Sequence, residues 1–192
     1  MRKLLYVLFI LCLLVGCSSN TEEPEELVLR ENELYSAPIT QNELTITHYN
    51  ALTDAITNND EMEIVKNIAK TFAADFFTFK TKTGEDHMGG MTYFLQEKRM
   101  SAKAYLKFYY YKNYTPIVNQ YGEEALPEVI EIIAVDPIAT TFEENDYGTL
   151  EAYDVRLDIS YAETTIPTSA LKTETVITIA KYPEGFFIVE IK

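Results

Sequence analysis

Glu85-Asp86-His87 sets an imidazole beside two carboxylates in a polar stretch, the side chains from which a metal site or an acid–base pair is built. Adjacent residues rarely point the same way, so such a site needs a third group from elsewhere. His48 is the only other histidine, and no HExxH spacing occurs, so no metal centre is expected. Asp75 stands between Phe72 and Phe76 in an apolar run and admits two readings. In a pocket, burial would raise its pKa and make it a general base. Beside a core face it is equally explained as a flank residue pairing with a lysine. The acid pairs Glu123-Glu124 and Glu143-Glu144 are sequence neighbours and read as solvated turn residues, whereas a glycosidase pair faces across its substrate. Tyr105, Tyr109, Tyr110, Tyr111, Tyr114 and Tyr121 put six tyrosines into 17 positions. Their apolar rings and polar tips suit a ligand or partner site, and suit core packing with hydroxyls at the rim just as well.

These groups sit in a chain of 192 residues, a length that fits one domain, and 47% hydrophobic residues are enough to build a core. A net charge of −14 and a pI near 4.5 argue against a nucleic-acid partner. Two cysteines, Cys12 and Cys17, exclude a disulfide-dense scaffold and a four-cysteine zinc site. No glycine-rich phosphate loop is present, and no residue pattern asks for a cofactor.

Hydrophobic spacing indicates what must position the side chains. Met62, Val65, Ile68, Ala69, Phe72, Phe76 and Phe79 fall on one helical face, predicting a helix over 60–80 with Asn58 or Asn59 as its cap. A second helix is expected over 98–120, with Tyr105, Phe108, Tyr111 and Tyr114 on one side and Arg99, Lys103 and Lys107 on another. Leu44 and Ile46 alternate with threonines, so 44–57 reads as a short strand or an extended strap. The period then becomes two. Val129–Val135 is almost continuously apolar, as for a strand covered on both faces, and Asp136-Pro137 breaks it. Residues 153–161 alternate apolar and polar, Glu174–Lys181 forms a further strand, and Tyr182-Pro183-Glu184-Gly185 turns the chain into a last strand over 186–191.

At the amino terminus, Arg2 and Lys3 precede an apolar run over 4–15, too short for a membrane span of roughly 20 residues but suited to a secretory signal. Leu14-Val15-Gly16-Cys17, followed by Ser18-Ser19-Asn20, resembles the lipobox of bacterial lipoproteins. The resemblance implies cleavage after Gly16, a diacylglycerol-modified Cys17 and a domain held at the extracytoplasmic face of the membrane. A diacyl anchor suffices for stable attachment. Residues 17–43 hold seven glutamates against Arg30 alone and read as an acidic tether, leaving 44–192 as the domain.

Charge is uneven: residues 60–118 carry seven acids and nine bases, and residues 119–192 fifteen acids and four bases. One reading is orientation, with the basic helices toward anionic membrane or wall polymer; the other is solubility alone. Helices first and strands afterwards predict an α+β fold with helices on one face of an antiparallel sheet. The long helix, the Gly89-Gly90 turn, the helix ending near Tyr121 and the strands closed by Tyr182-Pro183-Glu184-Gly185 resemble the NTF2-like (cystatin-like) cone, as in small lipoproteins of Gram-positive bacteria. That resemblance implies a curved sheet with a concave pocket, used by some members for catalysis and by others for binding. The resulting expectation is a non-catalytic binding or assembly module for a protein, peptide or wall-polymer ligand, with the tyrosines at 105, 109, 110, 111 and 114 as contact residues. The alternatives are a pocket enzyme with Asp75 or His87 as base, and a subunit of an envelope transfer or secretion apparatus.

Overall fold

The computed structural model describes residues 27–192. The expected signal segment and lipidation site, with Gly16 and Cys17, lie outside the described residues. Among the described residues, four α-helices precede a five-stranded antiparallel sheet: α1 (Glu43–Asn58), α2 (Glu61–Phe77), α3 (Arg99–Tyr109), α4 (Tyr114–Tyr121), then β1 (Val129–Ala134), β2 (Ile138–Glu144), β3 (Gly148–Tyr161), β4 (Glu174–Tyr182) and β5 (Gly185–Ile191). The fold class is therefore α+β, as the order of patterns indicates.

The segment 44–57 is helical, not a strand or strap. The Asn42 side chain accepts the Thr45 N–H at 3.0 Å, capping α1, and Thr45, His48, Tyr49, Leu52 and Ala55 form its buried stripe. The two-residue alternation at Leu44 and Ile46 is too short to outweigh that longer helical period. Asn59 ends the helix at φ 53°, its N–H reaching back to the Ala55 and Ile56 carbonyls. Asp60 then caps α2 through the Glu63 N–H, so the two helices turn sharply and pack on each other.

α2 is the central helix and packs against the sheet. Ile68, Phe72 and Phe76 are fully buried with Val155, Leu157, Ile177 and Ile179 of the sheet, and the Phe72 and Phe76 rings stack at 4.9 Å. It ends at Phe77, three residues before the predicted limit. Both the Phe79 and Lys80 N–H groups donate to the Pro127 carbonyl, and the Thr78 hydroxyl accepts from the Val129 N–H, so the chain leaves the helix to meet β1.

The helix expected over 98–120 is two helices. Pro116 has no N–H to give to the Lys112 carbonyl, and its ring would clash there in a continuous helix. The chain breaks over Tyr110–Asn113, and Pro116 falls in the first turn of α4, where no such bond is needed.

The 14-residue β3 is the spine of the sheet. β4 pairs with Ala152–Asp158 along one side, while β1 and β2 share the other, β1 against Leu157–Tyr161 and β2 against Gly148–Asp154. β1 is thus an edge strand with a bulge between Val129 and Glu131, and not a strand covered on both faces: Ile130 and Ile133 are exposed. β2, a strand absent from the expected set, forms just beyond Asp136-Pro137. Pro183-Glu184 closes the β4–β5 hairpin as the turn chemistry predicts.

The described part of the acidic tether is fastened to the domain. Arg30 makes a bidentate pair with Asp54 at 2.7 Å, and its N–H meets the Asn50 side chain. Tyr35 is buried and donates its hydroxyl to the Phe186 carbonyl at 2.7 Å, while Tyr49 donates to the Tyr35 carbonyl. The packed unit therefore begins near Val28, before the boundary expected at residue 44. Averaging over glutamates concealed two residues, Tyr35 and Thr40, that find buried partners.

Candidate functional site

Asp75 is 1% exposed and lines neither of the clefts described below. Its Oδ1 accepts the Thr40 N–H at 2.8 Å and the Lys82 ammonium at 3.0 Å. Its Oδ2 accepts the Gly90 N–H at 2.9 Å and the Ile39 N–H at 3.1 Å. Lys82 is equally buried, with Nζ also 2.6 Å from the Thr40 hydroxyl and 3.2 Å from that of Thr81. Burial pulls the Lys82 pKa down, and Asp75 opposes that pull. This is a complete knot joining three segments: the strap before α1, α2 itself, and the loop after it. It corresponds to the lysine-pairing reading of Asp75. Gly89 explains the glycine pair: a Cβ there would lie 2.3 Å from the Asp75 carboxyl, so only glycine lets the loop approach. Gly90 adopts φ 76° against the Phe72 ring, again a glycine conformation.

The Glu85-Asp86-His87 trio disperses. Asp86 holds Lys107 through both oxygens at 2.9 Å, with Glu85 behind at 3.8 Å. The His87 Nδ1 accepts the Thr83 N–H at 3.2 Å. His87 lines none of the clefts described below, and no cluster suited to a metal ion occurs among the described residues. His48 is buried without a partner for its Nε2 among the described residues, and desolvation, with Lys70 nearby, lowers its pKa to about 4.

The tyrosines divide into two populations. Tyr111 and Tyr114 are core groups whose hydroxyls donate to the Phe76 carbonyl at 2.6 Å and the Lys82 carbonyl at 2.7 Å. Burial drives the Tyr111 hydroxyl pKa well upward. Tyr110 lies half-buried against Phe76 and Phe77. Tyr105 and Tyr109 stand on the outer side of α3 with ring centroids 4.4 Å apart.

Two open clefts adjoin these helices. The larger, 520 Å³, lies between α3 and the sheet. Phe94, Leu95, Ala102 and Tyr105 line one wall, and Phe142 and Ile188 the other. Its polar centre is Glu144, whose carboxylate meets Lys98 at 3.1 Å and the Tyr182 hydroxyl at 3.4 Å. Burial, then Glu144, raises the Tyr182 pKa. Glu144 is therefore not a solvated turn residue, since its side chain is only 12% exposed. A second cleft of 390 Å³ takes Tyr109, Tyr110 and Tyr121 beside Tyr161. Sequence reasoning missed the Lys98–Glu144–Tyr182 centre because it missed β2. The signal was there: Ile138–Phe142 is rich in threonine and large apolar residues, and Asn145-Asp146-Tyr147-Gly148 is a hairpin turn.

The larger cleft offers an apolar trough with one ion pair and one phenol. An apolar trough with a few placed polar groups is suited to binding and orienting a ligand. The chain matches no family model, no curated protein and no solved structure.

Proposed function

We propose that this protein is a membrane-anchored, extracytoplasmic binding or assembly module with an NTF2-like α+β domain, attached through acylated Cys17 and taking its ligand in the cleft between α3 and the sheet. The observation that carries the reading is that cleft: open, mostly apolar, and centred on Lys98, Glu144 and Tyr182. The signal run and the lipobox residues Leu14–Cys17 support the address. Helices followed by an antiparallel sheet support the cone. Neither residue put forward for the enzymatic alternative supports it: Asp75 is saturated by four donors, and His87 lines neither cleft.

Two experiments test the proposal. Palmitate labelling of the full chain should mark the wild type and not Cys17→Ala. The chain purified from membranes should carry a ligand that Ala102→Trp, which fills the trough, excludes. Equal labelling of both chains would remove the anchor; an identical ligand complement on wild type and Ala102→Trp would remove the cleft.

A further inference from the structure

α3 has its polarity inverted. Of its large apolar side chains it buries only Leu106, while Met100 is 84%, Tyr105 52%, Phe108 59% and Tyr109 56% exposed. Met100, Ala104 and Phe108 follow one another at intervals of four, and so do Ser101, Tyr105 and Tyr109. They form two adjoining rows along a helix of about 16 Å, all on the solvent side. Phe108 and Tyr109 meet edge to face at 5.0 Å, so the rings form one continuous patch.

The same stretch is where the charge of the protein reverses. Residues 98–112 contain Lys98, Arg99, Lys103, Lys107 and Lys112 and none of the 30 carboxylates. Lys98 is held by Glu144 in the cleft, whereas Lys107 pairs with the exposed Asp86, a contact that solvent screening makes readily exchangeable. Lys103 and Lys112 have no carboxylate within 4.0 Å among the described residues, and the Lys112 ammonium stands over the Phe108 ring at 4.4 Å. Rings with polar tips, a methionine and a phenylalanine between them, and lysines whose stems lie along apolar surface are the side chains that fit the boundary between lipid headgroups and acyl chains. The strand region, with fifteen acids against four bases, is repelled by the same surface.

From this we infer that the outer face of α3 docks on an anionic lipid bilayer, with Met100 and Phe108 at the headgroup boundary and the acidic sheet turned away. The inference takes from the proposed function only attachment of the chain to a membrane. Attachment matters energetically: a tethered helix meets the surface at high effective concentration, so contacts too weak to recruit a free protein suffice to orient a bound one.

The chain has no tryptophan, so Phe108→Trp creates a unique reporter at the centre of the patch. The full-length variant, purified from membranes in detergent, is reconstituted into vesicles of phosphatidylcholine alone or mixed with phosphatidylglycerol, with and without brominated lipid. The expected result is blue-shifted emission, quenched several-fold by brominated lipid, in the anionic vesicles only. Added salt or Lys103→Glu with Lys107→Glu and Lys112→Glu should reverse both effects. A reporter at the exposed sheet edge, Ile133→Trp, should stay unquenched. Sedimentation with both vesicles but identical, unquenched emission from the Phe108→Trp reporter would overturn the docking and leave the anchor standing, directing the search to an acidic protein partner for α3. Equal quenching at positions 108 and 133 would overturn the orientation. Failure to sediment with either vesicle would remove attachment, and docking with it.

Discussion

α2 and α3 are both amphipathic helices that break the inside–outside rule, in opposite senses. α2 buries a carboxylate, Asp75, against the Lys82 ammonium; α3 exposes four large apolar side chains. The α2 exception is resolved within the molecule, since three backbone N–H groups and Lys82 satisfy the carboxylate. The α3 exception has no resolution among the described residues. A violation compensated internally reads as architecture, and one left open reads as a surface awaiting something outside. Burial of a charged side chain alone would have pointed at Asp75, and geometry moves attention to α3 and the cleft beside it.

Substitutions can break or sharpen that contrast. The largest effect is expected at the knot: Asp75→Ala leaves a buried ammonium without its counter-charge and three N–H groups without partners, and should cost about 3–5 kcal/mol in denaturant unfolding. A loss below about 1 kcal/mol would mean the knot is not architecture.

Acid should act through His48. Its pKa is about 4 in the folded chain against 6.5 for a solvated histidine, so between these values the unfolded chain binds the proton and the folded one does not. Stability should therefore fall as pH drops from about 6.5 and level off below about 4, by on the order of 3 kcal/mol. His48→Leu should flatten that segment of a stability–pH curve measured by chemical denaturation, and an unchanged slope would sink the assignment.

Gly89→Ala tests the close approach to Asp75. Displacing the carboxyl or the loop should lower stability by about 1–3 kcal/mol, read as a shift in melting temperature. The smallest difference separates the two tyrosine populations. Tyr111→Phe removes the bond to the Phe76 carbonyl and should cost about 1 kcal/mol, whereas Tyr105→Phe should stay within about 0.5 kcal/mol. Equal effects would dissolve the division.

The sequence exposed the elements whose periods are long and uninterrupted. α2 is legible from the six apolar positions Met62 to Phe76, β3 from its alternation, and the β4–β5 hairpin from Pro183 and Gly185. Pro116 was visible too, but its consequence, two helices in place of one, depends on how Tyr111 turns inward to reach Phe76. The sidedness of β1 was not legible, because an apolar run does not say which strand is an edge. The knot was half legible: Asp75 stood out, but its partners come from residues 39, 40, 82 and 90, and only the tertiary fold assembles them. The cleft centre was hidden for the same reason, since Lys98, Glu144 and Tyr182 are joined by packing across a strand that had gone unrecognised.

The stretch before α1 gives the protein a mechanical character. Tension arriving along the chain from the amino-terminal side meets the Arg30–Asp54 clasp first, then the Tyr35 hydroxyl wedged at Phe186, and only last the Asp75 knot at Thr40. These fastenings are spaced along the strap, at residues 30, 35 and 40. The strap is thus held at three successive points, and the most deeply buried catch, at Thr40 and Asp75, is the one nearest α1.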